Sequence, residues 1–226
     1  DKESLSVFRV KICGLTSVHD AEVISRTKAD AIGLNFYAKS PRCITTEQAL
    51  RVVQATPSRG ARVGLFVNAT DDEVCTAYDH LGLDFIQLHG DEPPEYLLAL
   101  GGRPVIRAFR LGPSGLAPIL RYLEACRLPE VNLHAVLIDA YDPERYGGTG
   151  ETADWKQLAD QRTMLGALPL VLAGGLNAAN VAEARSLISA ASLSQSLSLG
   201  HGADAGDDGS PPASPVSRSP SRSASA

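Results

Sequence analysis

The sequence predicts an α/β fold, a closed (β/α)8 TIM barrel, and three observations carry that expectation. Short apolar runs alternate with amphipathic helical stretches along most of the chain, the pattern of parallel strands joined by crossover helices. The strand–helix pairs recur about seven or eight times at roughly 25-residue spacing, which favours a closed barrel over an open doubly wound sheet. No Gly-x-Gly-x-x-Gly follows the first apolar run, which argues against a dinucleotide-binding sheet.

The elements follow in order. Phe8–Ile12 is the first strand; it stops at Cys13-Gly14, and Thr16 is a suitable N-cap for a helix over Ser17–Arg26. Ala31–Asn35 is the second strand, and Thr45-Thr46-Glu47 opens a helix to about Ala55. Arg62–Val67 is the third strand, and a helix over Asp71–Leu81 is stopped by Gly82. Asp84–Leu88 is the fourth strand; its helix, Pro93–Leu100, begins with prolines and ends at Gly101-Gly102. Strands over Pro104–Phe109, Leu133–Ile138 and Pro169–Ala173 alternate with helices over Leu116–Cys126, Asp154–Leu165 and Ala178–Ile188. After about Ser189 the chain turns Ser-rich, then Gly/Asp-rich, then Pro/Ser/Arg-rich. A barrel domain is therefore expected over residues 6–188, with a weak, degenerate eighth strand at 196–200, no final helix, and a disordered tail over 203–226.

The composition sets limits on function. Of 226 residues, 44% are hydrophobic, enough for a sizeable core, and the net charge of −5 offers no polyanion partner a basic surface. No nucleic-acid partner is expected. No apolar run approaches the ~20 residues that a membrane span requires, so no membrane partner is expected either. The polar start, Asp1-Lys2-Glu3-Ser4, does not read as a signal peptide. Cys13, Cys43, Cys75 and Cys126 are scattered, with neither Cys-x-x-Cys nor zinc spacing. They read as reduced thiols of a cytoplasmic protein that holds no metal.

Parallel α/β folds do their chemistry at the C-terminal ends of the strands, and several polar groups fall there. Cys13 ends strand one, Asp139 ends strand six, and Tyr146-Gly147-Gly148-Thr149-Gly150 follows. A thiol and a carboxyl on different strand tips can meet across a barrel mouth as base and acid. A buried apolar-type cysteine and a turn aspartate are the plainer readings of each alone. Arg42, in Ser40-Pro41-Arg42 after strand two, suits a planar carboxylate, which its guanidinium grips through two bonds. His89, in Gln87-Leu88-His89-Gly90-Asp91-Glu92, is expected at the substrate pocket or bonded to a neighbouring loop. Arg107 on strand five either points into the barrel or belongs to a structural ion pair. Gly174-Gly175 after strand seven form the best candidate phosphate loop, since glycines let backbone N–H groups approach an anion beside a helix N-terminus.

Taken together these segments resemble the phosphoribosylanthranilate isomerase family of tryptophan biosynthesis. The stretches that carry the resemblance are Lys11-Ile12-Cys13-Gly14-Leu15-Thr16, Gly33-Leu34-Asn35-Phe36 with Ser40-Pro41-Arg42, and Val63-Gly64-Leu65-Phe66-Val67-Asn68. They continue through Gln87–Glu92, Gly147-Gly148-Thr149-Gly150 with Asp154-Trp155, and Ala173-Gly174-Gly175-Leu176-Asn177 with Asn180-Val181. The resemblance implies a barrel that needs no cofactor and an aldose–ketose isomerisation, the Amadori rearrangement of N-(5-phosphoribosyl)anthranilate. It implies that Cys13 is the general base, Asp139 the general acid and Arg42 the holder of the anthranilate carboxylate. It further implies a small phosphorylated substrate and a monomer or homodimer. Related sugar-phosphate isomerases of histidine synthesis carry Asp at the position of Cys13.

The chain departs from the family at its end. The family closes strand eight with a Val-Asp-Val-Ser-Ser-Gly-Val-Glu type run, a lysine-containing loop and a last helix. Here Leu197–Asp204 is the counterpart, with Gly202 in the phosphate loop, and no helix is expected after it. An active isomerase is the first reading. The alternative is a catalytically impaired barrel retained as a binding or assembly module, because the phosphate loop and last helix are lost.

Overall fold

The computed structural model describes residues 7–56, 60–127, 131, 133–140, 155–187 and 192–196. Its strands are β1 (Val10–Cys13), β2 (Ala31–Asn35), β3 (Ala61–Phe66), β4 (Phe85–Leu88), β5 (Val105–Leu111), β6 (Leu133–Ala140), β7 (Leu170–Leu172) and β8 (Ser192–Ser196). Between them run α1 (Val18–Ser25), α2 (Thr46–Ala55), α3 (Asp71–Leu81), α4 (Tyr96–Ala99), α5 (Ala117–Ala125), α6 (Trp155–Gln161) and α7 (Val181–Leu187). A 3-10 turn, Arg162–Leu165, extends α6. The strands pair in sequence order and all in parallel, and β8 closes the barrel onto β1. Among the described residues no helix is long and apolar enough to cross a membrane.

The two-residue period of each strand divides the core into two layers. Inward side chains of Ala31, Val63, Ile106, Ala108, Ala135, Leu137, Val171 and Ala173 fill the barrel, and Phe8 packs with them. Outward residues such as Ile32, Leu34, Ile86 and Leu88 pack against α1 to α4. Val136, Ile138, Leu170 and Leu172 do the same beneath α5 to α7. Small inward residues and branched outward ones explain a core built with few aromatics.

Local chemistry sets the helix starts. Ser17, Thr45 and Thr70 cap α1, α2 and α3 in reciprocal capping boxes with Asp20, Gln48 and Glu73. Gly82 ends α3 in the left-handed conformation. Thr16 is not the cap of α1: the Asp20 carboxylate accepts the N–H groups of both Thr16 and Ser17, and Ser17 returns the bond. The fourth helix is a single turn, Tyr96–Ala99, much shorter than the Pro93–Leu100 expected, and no side chain caps it.

The eighth strand also starts early. Its described residues are Ser192–Ser196, with Leu193 beside Val10 and Ser196 beside Cys13, and of the 196–200 expected only Ser196 is among the described residues. The Ser/Leu alternation extends on both sides of Ser196, so period two alone does not fix the strand's ends; pairing with β1 and β7 does. The Gly147–Gly150 loop, Gly202 and the tail over 203–226, with the final helix expected to be missing there, lie outside the described residues.

Candidate active site

Strand alternation carries the inward faces up to the C-terminal rim. Ile12 packs outward, so Lys11 and Cys13 point into the barrel. By the same rule Gly33 and Asn35 follow Ala31, Gln87 and His89 follow Phe85, Arg110 follows Ala108, and Asp139 follows Leu137. Cys13, His89 and Asp139 are all buried at this rim.

The thiol is held by two glycines. Cys13 is paired with Gly33 across β1 and β2. A Cβ on Gly33 would stand 2.6 Å from the Cys13 Sγ, so the thiol occupies the space that glycine leaves open. Gly14 turns the chain at φ +88°, and its N–H donates to the Gly33 carbonyl at 2.8 Å. A Cβ there would come within 2.7 Å of the Arg42 Cδ. The Arg42 side chain thus lies across the tip of β1, and the guanidinium and the thiol, 29 residues apart in sequence by subtraction, share one corner of the mouth.

Opposite them, the His89 Nε2 lies 3.3 Å from the Asp139 Oδ2, with both side chains almost fully buried. The distance is that of an ion pair without hydrogen-bond geometry, and among the described residues the Nδ1 of His89 has no hydrogen-bond partner. Beneath this layer Lys11, wholly buried, donates from its Nζ to the Gln87 Oε1 at 2.6 Å across the barrel.

Behind His89 a buried polar bracket fixes the loop after β4. The Glu92 carboxylate accepts the N–H groups of Asn68 and Gly90, and lies 3.4 Å from the Arg107 guanidinium. Arg107 also donates to the carbonyls of Leu88, Ala108 and Gly90. It sits over the rings of Phe109 and Tyr122. Arg107 therefore faces the helices rather than the barrel interior. Burial pushes the Tyr122 phenol up to about 12, against the pull of Arg107, so it stays protonated and donates to the Glu92 carbonyl.

After β7, Gly174 and Gly175 both take positive φ, +81° and +63°, a turn that costs glycine little. Asn177 and Asn180 brace it: the Asn180 Nδ2 donates to the Gly175 carbonyl at 2.8 Å, and its Oδ1 accepts the Asn177 N–H. The loop lies at the same rim, since Ala173 follows β7 and is bonded to the Ile138 carbonyl one residue before Asp139. Three contributions escaped the sequence reading. Gly33 makes the thiol's room, Arg110 stands beside Asp139 on the inward side of β5, and His89 pairs with Asp139. The alternation from Ile106 and Ala108 was the available signal for Arg110; the other two need the strand register. A separate cleft of about 420 Å³ between α5 and the turn after α6 includes Leu133, the first residue of β6. It lies at the opposite edge of the sheet from Asp139.

The molecule is thus a closed parallel barrel whose rim carries a buried thiol, a buried carboxyl and an arginine. The family profile described as N-(5'phosphoribosyl)anthranilate (PRA) isomerase matches residues 10–194. The chain belongs to this family. It is 44% identical over 185 residues to the N-(5'-phosphoribosyl)anthranilate isomerase of Azotobacter vinelandii, covering 82% of this chain and 84% of that protein. The crystal structure of phosphoribosyl anthranilate isomerase from Thermotoga maritima superposes with a TM-score of 0.70 at 34% identity, covering 84% of this chain and 88% of that one. A further family structure, in complex with reduced 1-(o-carboxyphenylamino)-1-deoxyribulose 5-phosphate, superposes with a TM-score of 0.65 at 32% identity over 84% and 87% of the two chains.

Proposed function

We propose that the chain converts N-(5-phosphoribosyl)anthranilate into 1-(2-carboxyphenylamino)-1-deoxyribulose 5-phosphate, an Amadori rearrangement in tryptophan biosynthesis. Membership of the family and the reduced product held by one of its structures support this reading. The observation that carries it within the molecule is the rim itself: a thiol, a guanidinium and a carboxyl converge there from β1, the loop after β2 and β6.

The chemistry follows from what such groups can do. Asp139, in its acid form, gives its proton to the ring oxygen of the furanose. The anilino nitrogen pushes its lone pair towards C1, the C1–O bond breaks, and an open-chain iminium forms. Cys13 as thiolate then takes the proton from C2, and the electrons neutralise the nitrogen to give an enolamine. Tautomerisation to the aminoketone completes an isomerisation in which no atom is gained or lost. The thiolate, not the thiol, is the base in this step.

In this reading Arg42 holds the anthranilate carboxylate through a two-pronged contact. Gly174 and Gly175 offer backbone N–H groups to the phosphate, a role the family resemblance extends to Gly202. His89 borders the sugar. The closing of the barrel by β8 supports an active enzyme over an assembly module. The same reading makes the enzyme cytoplasmic. The experiment is to follow loss of anthranilate-type fluorescence from N-(5-phosphoribosyl)anthranilate on adding the purified chain. Turnover at a kcat on the order of 1–10³ s⁻¹ is expected; a rate no faster than buffer contradicts the reading.

A further inference from the structure

Arg42 sits in an exposed loop, and the hydrogen bonds that fix this loop have no part in the reaction itself. We propose that Asn35 is a positioning residue for Arg42: its buried carboxamide ties the loop after β2 to the strand tip and so sets where the arginine arm begins. The inference rests on Arg42 being the group that grips the substrate's carboxylate.

The loop gives Arg42 little support of its own. Ala38, Lys39, Pro41 and Cys43 are exposed, and Pro41 has no N–H to donate. Within the loop, the Ser40 N–H donates to the Tyr37 carbonyl and the Cys43 N–H to the Ser40 carbonyl. These bonds shape the turns without attaching them to the barrel. The chain rejoins the sheet only at Cys43, which bridges to Asn35, and at the buried Ile44, whose N–H donates to the Asn35 carbonyl at 2.9 Å.

The Asn35 side chain makes the attachment. Asn35 is the last residue of β2, 6% exposed, and shares the inward face with Gly33. Its Oδ1 accepts the Tyr37 N–H at 2.9 Å, which fixes the way out of the strand. Its Nδ2 donates to the Ser40 Oγ at 3.1 Å, and the same oxygen accepts the Arg42 N–H at 3.2 Å. A carboxamide suits this place because it offers a donor and an acceptor on one planar group, and an apolar side chain of similar size offers neither. Between these bonds Phe36 stacks on Phe66 with ring centroids 5.0 Å apart, a second hold on the strand tip. The relay Asn35–Ser40–Arg42 thus places the backbone from which the guanidinium arm starts. The arm then passes over Gly14, where a Cβ would stand 2.7 Å from the Arg42 Cδ and 3.2 Å from its Nε. Its origin is set by Ser40 and its shaft by Gly14. A two-pronged grip on a carboxylate gains from a fork aimed beforehand, since ordering a loop and a long side chain on binding costs affinity.

Two measurements test this. The first is the calorimetric Kd of reduced 1-(o-carboxyphenylamino)-1-deoxyribulose 5-phosphate for the wild type, Asn35→Leu, Ser40→Ala and Arg42→Met, and for each loop change combined with Arg42→Met. Alone, Asn35→Leu and Ser40→Ala are each expected to weaken binding by about fivefold or more. Once Arg42 is replaced they are expected to change it by less than about twofold, because the relay then has nothing to aim. A merely structural role, or direct contact of Asn35 with the ligand, gives the same loss in both backgrounds and overturns the inference. Wild-type affinity in both loop variants overturns it too. Ser40 is only half-buried, so Ser40→Ala decides the matter if Asn35→Leu does not fold. The second measurement is hydrogen exchange of the Arg42 amide without ligand. The rate is expected to rise by about tenfold or more in either loop variant; an unchanged rate overturns the tie. If Arg42→Met binds as the wild type does, the reading of Arg42 falls and the inference with it. If Arg42→Met weakens binding while Asn35→Leu and Ser40→Ala do not, only the relay falls.

Discussion

Single side chains set the geometry of the barrel mouth. Gly33 has an ordinary φ, so its lack of a side chain is not a matter of backbone strain; the Cys13 Sγ fills the space. Gly33→Ala should displace the thiol while leaving the strand paired. We expect the far-ultraviolet circular dichroism spectrum to be kept and kcat to fall by about tenfold or more, the scale of losing a well-placed base. A variant with unchanged kcat would show that the thiol's position is immaterial. Arg42→Met should raise KM far more than it lowers kcat, because the contact with the carboxylate is made in ground and transition states alike. Steady-state kinetics separates the two. Cys13 and Asp139 were legible as candidates because each stands where an apolar run meets a turn. The pairing of His89 with Asp139 was not, because 50 residues separate them by subtraction and only the closed register brings β4 and β6 to face one mouth. Asp139 lies within β6 rather than after it, since its neighbour Ala140 still pairs with Leu111.

At the scale of elements, the loops after the strands are held by polar groups that periodicity does not reveal. Arg107 illustrates this. A charged residue in an apolar strand was open to two readings, and its facing follows from Ile106 and Ala108 filling the barrel on either side. Its guanidinium is 5% exposed and Glu92 only 2%. Arg107→Leu would leave a buried carboxylate without this cation and remove a donor from three carbonyls. We expect a loss of about 3–5 kcal/mol in the free energy of unfolding, measured by urea titration; a loss below about 1 kcal/mol would show that the bracket is ornamental. The same physics explains where element boundaries were misjudged. The end of α3 was legible because Gly82 must adopt the left-handed conformation there. The short α4 and the early β8 were not, because tertiary pairing fixes their ends rather than local sequence.

The whole molecule depends on closing eight strands of unequal quality. Alternation of strands and helices made the barrel legible at this scale, since only a parallel sheet accommodates such a repeat. At the foot of the barrel Asp30 ties β1 to β2: its carboxylate accepts the N–H groups of Arg9 and Val10. Its carbonyl accepts the Ala61 N–H at the start of β3. Burial pushes the Asp30 carboxyl up, but hydrogen bonds from Val10, from the Arg9 backbone and side chain and from its own backbone hold it below its ordinary value. A carboxyl depressed in the folded state stabilises the fold above its unfolded value and loses that contribution as pH falls through its native value. The difference in melting temperature between the wild type and Asp30→Asn should therefore be largest at neutral pH and close below pH ~4. A difference that does not change with pH would assign the tie to backbone geometry alone.

Turnover is expected to depend on Cys13 and Asp139 acting together at the barrel mouth. The measurement that reaches it most directly is kcat for Cys13→Ser and Asp139→Asn, taken beside calorimetric binding of the reduced product analogue. Each variant is expected to bind the analogue within about threefold of the wild type while losing kcat by about 10²–10⁴-fold. Either variant turning over at the wild-type rate, with binding intact, would contradict it.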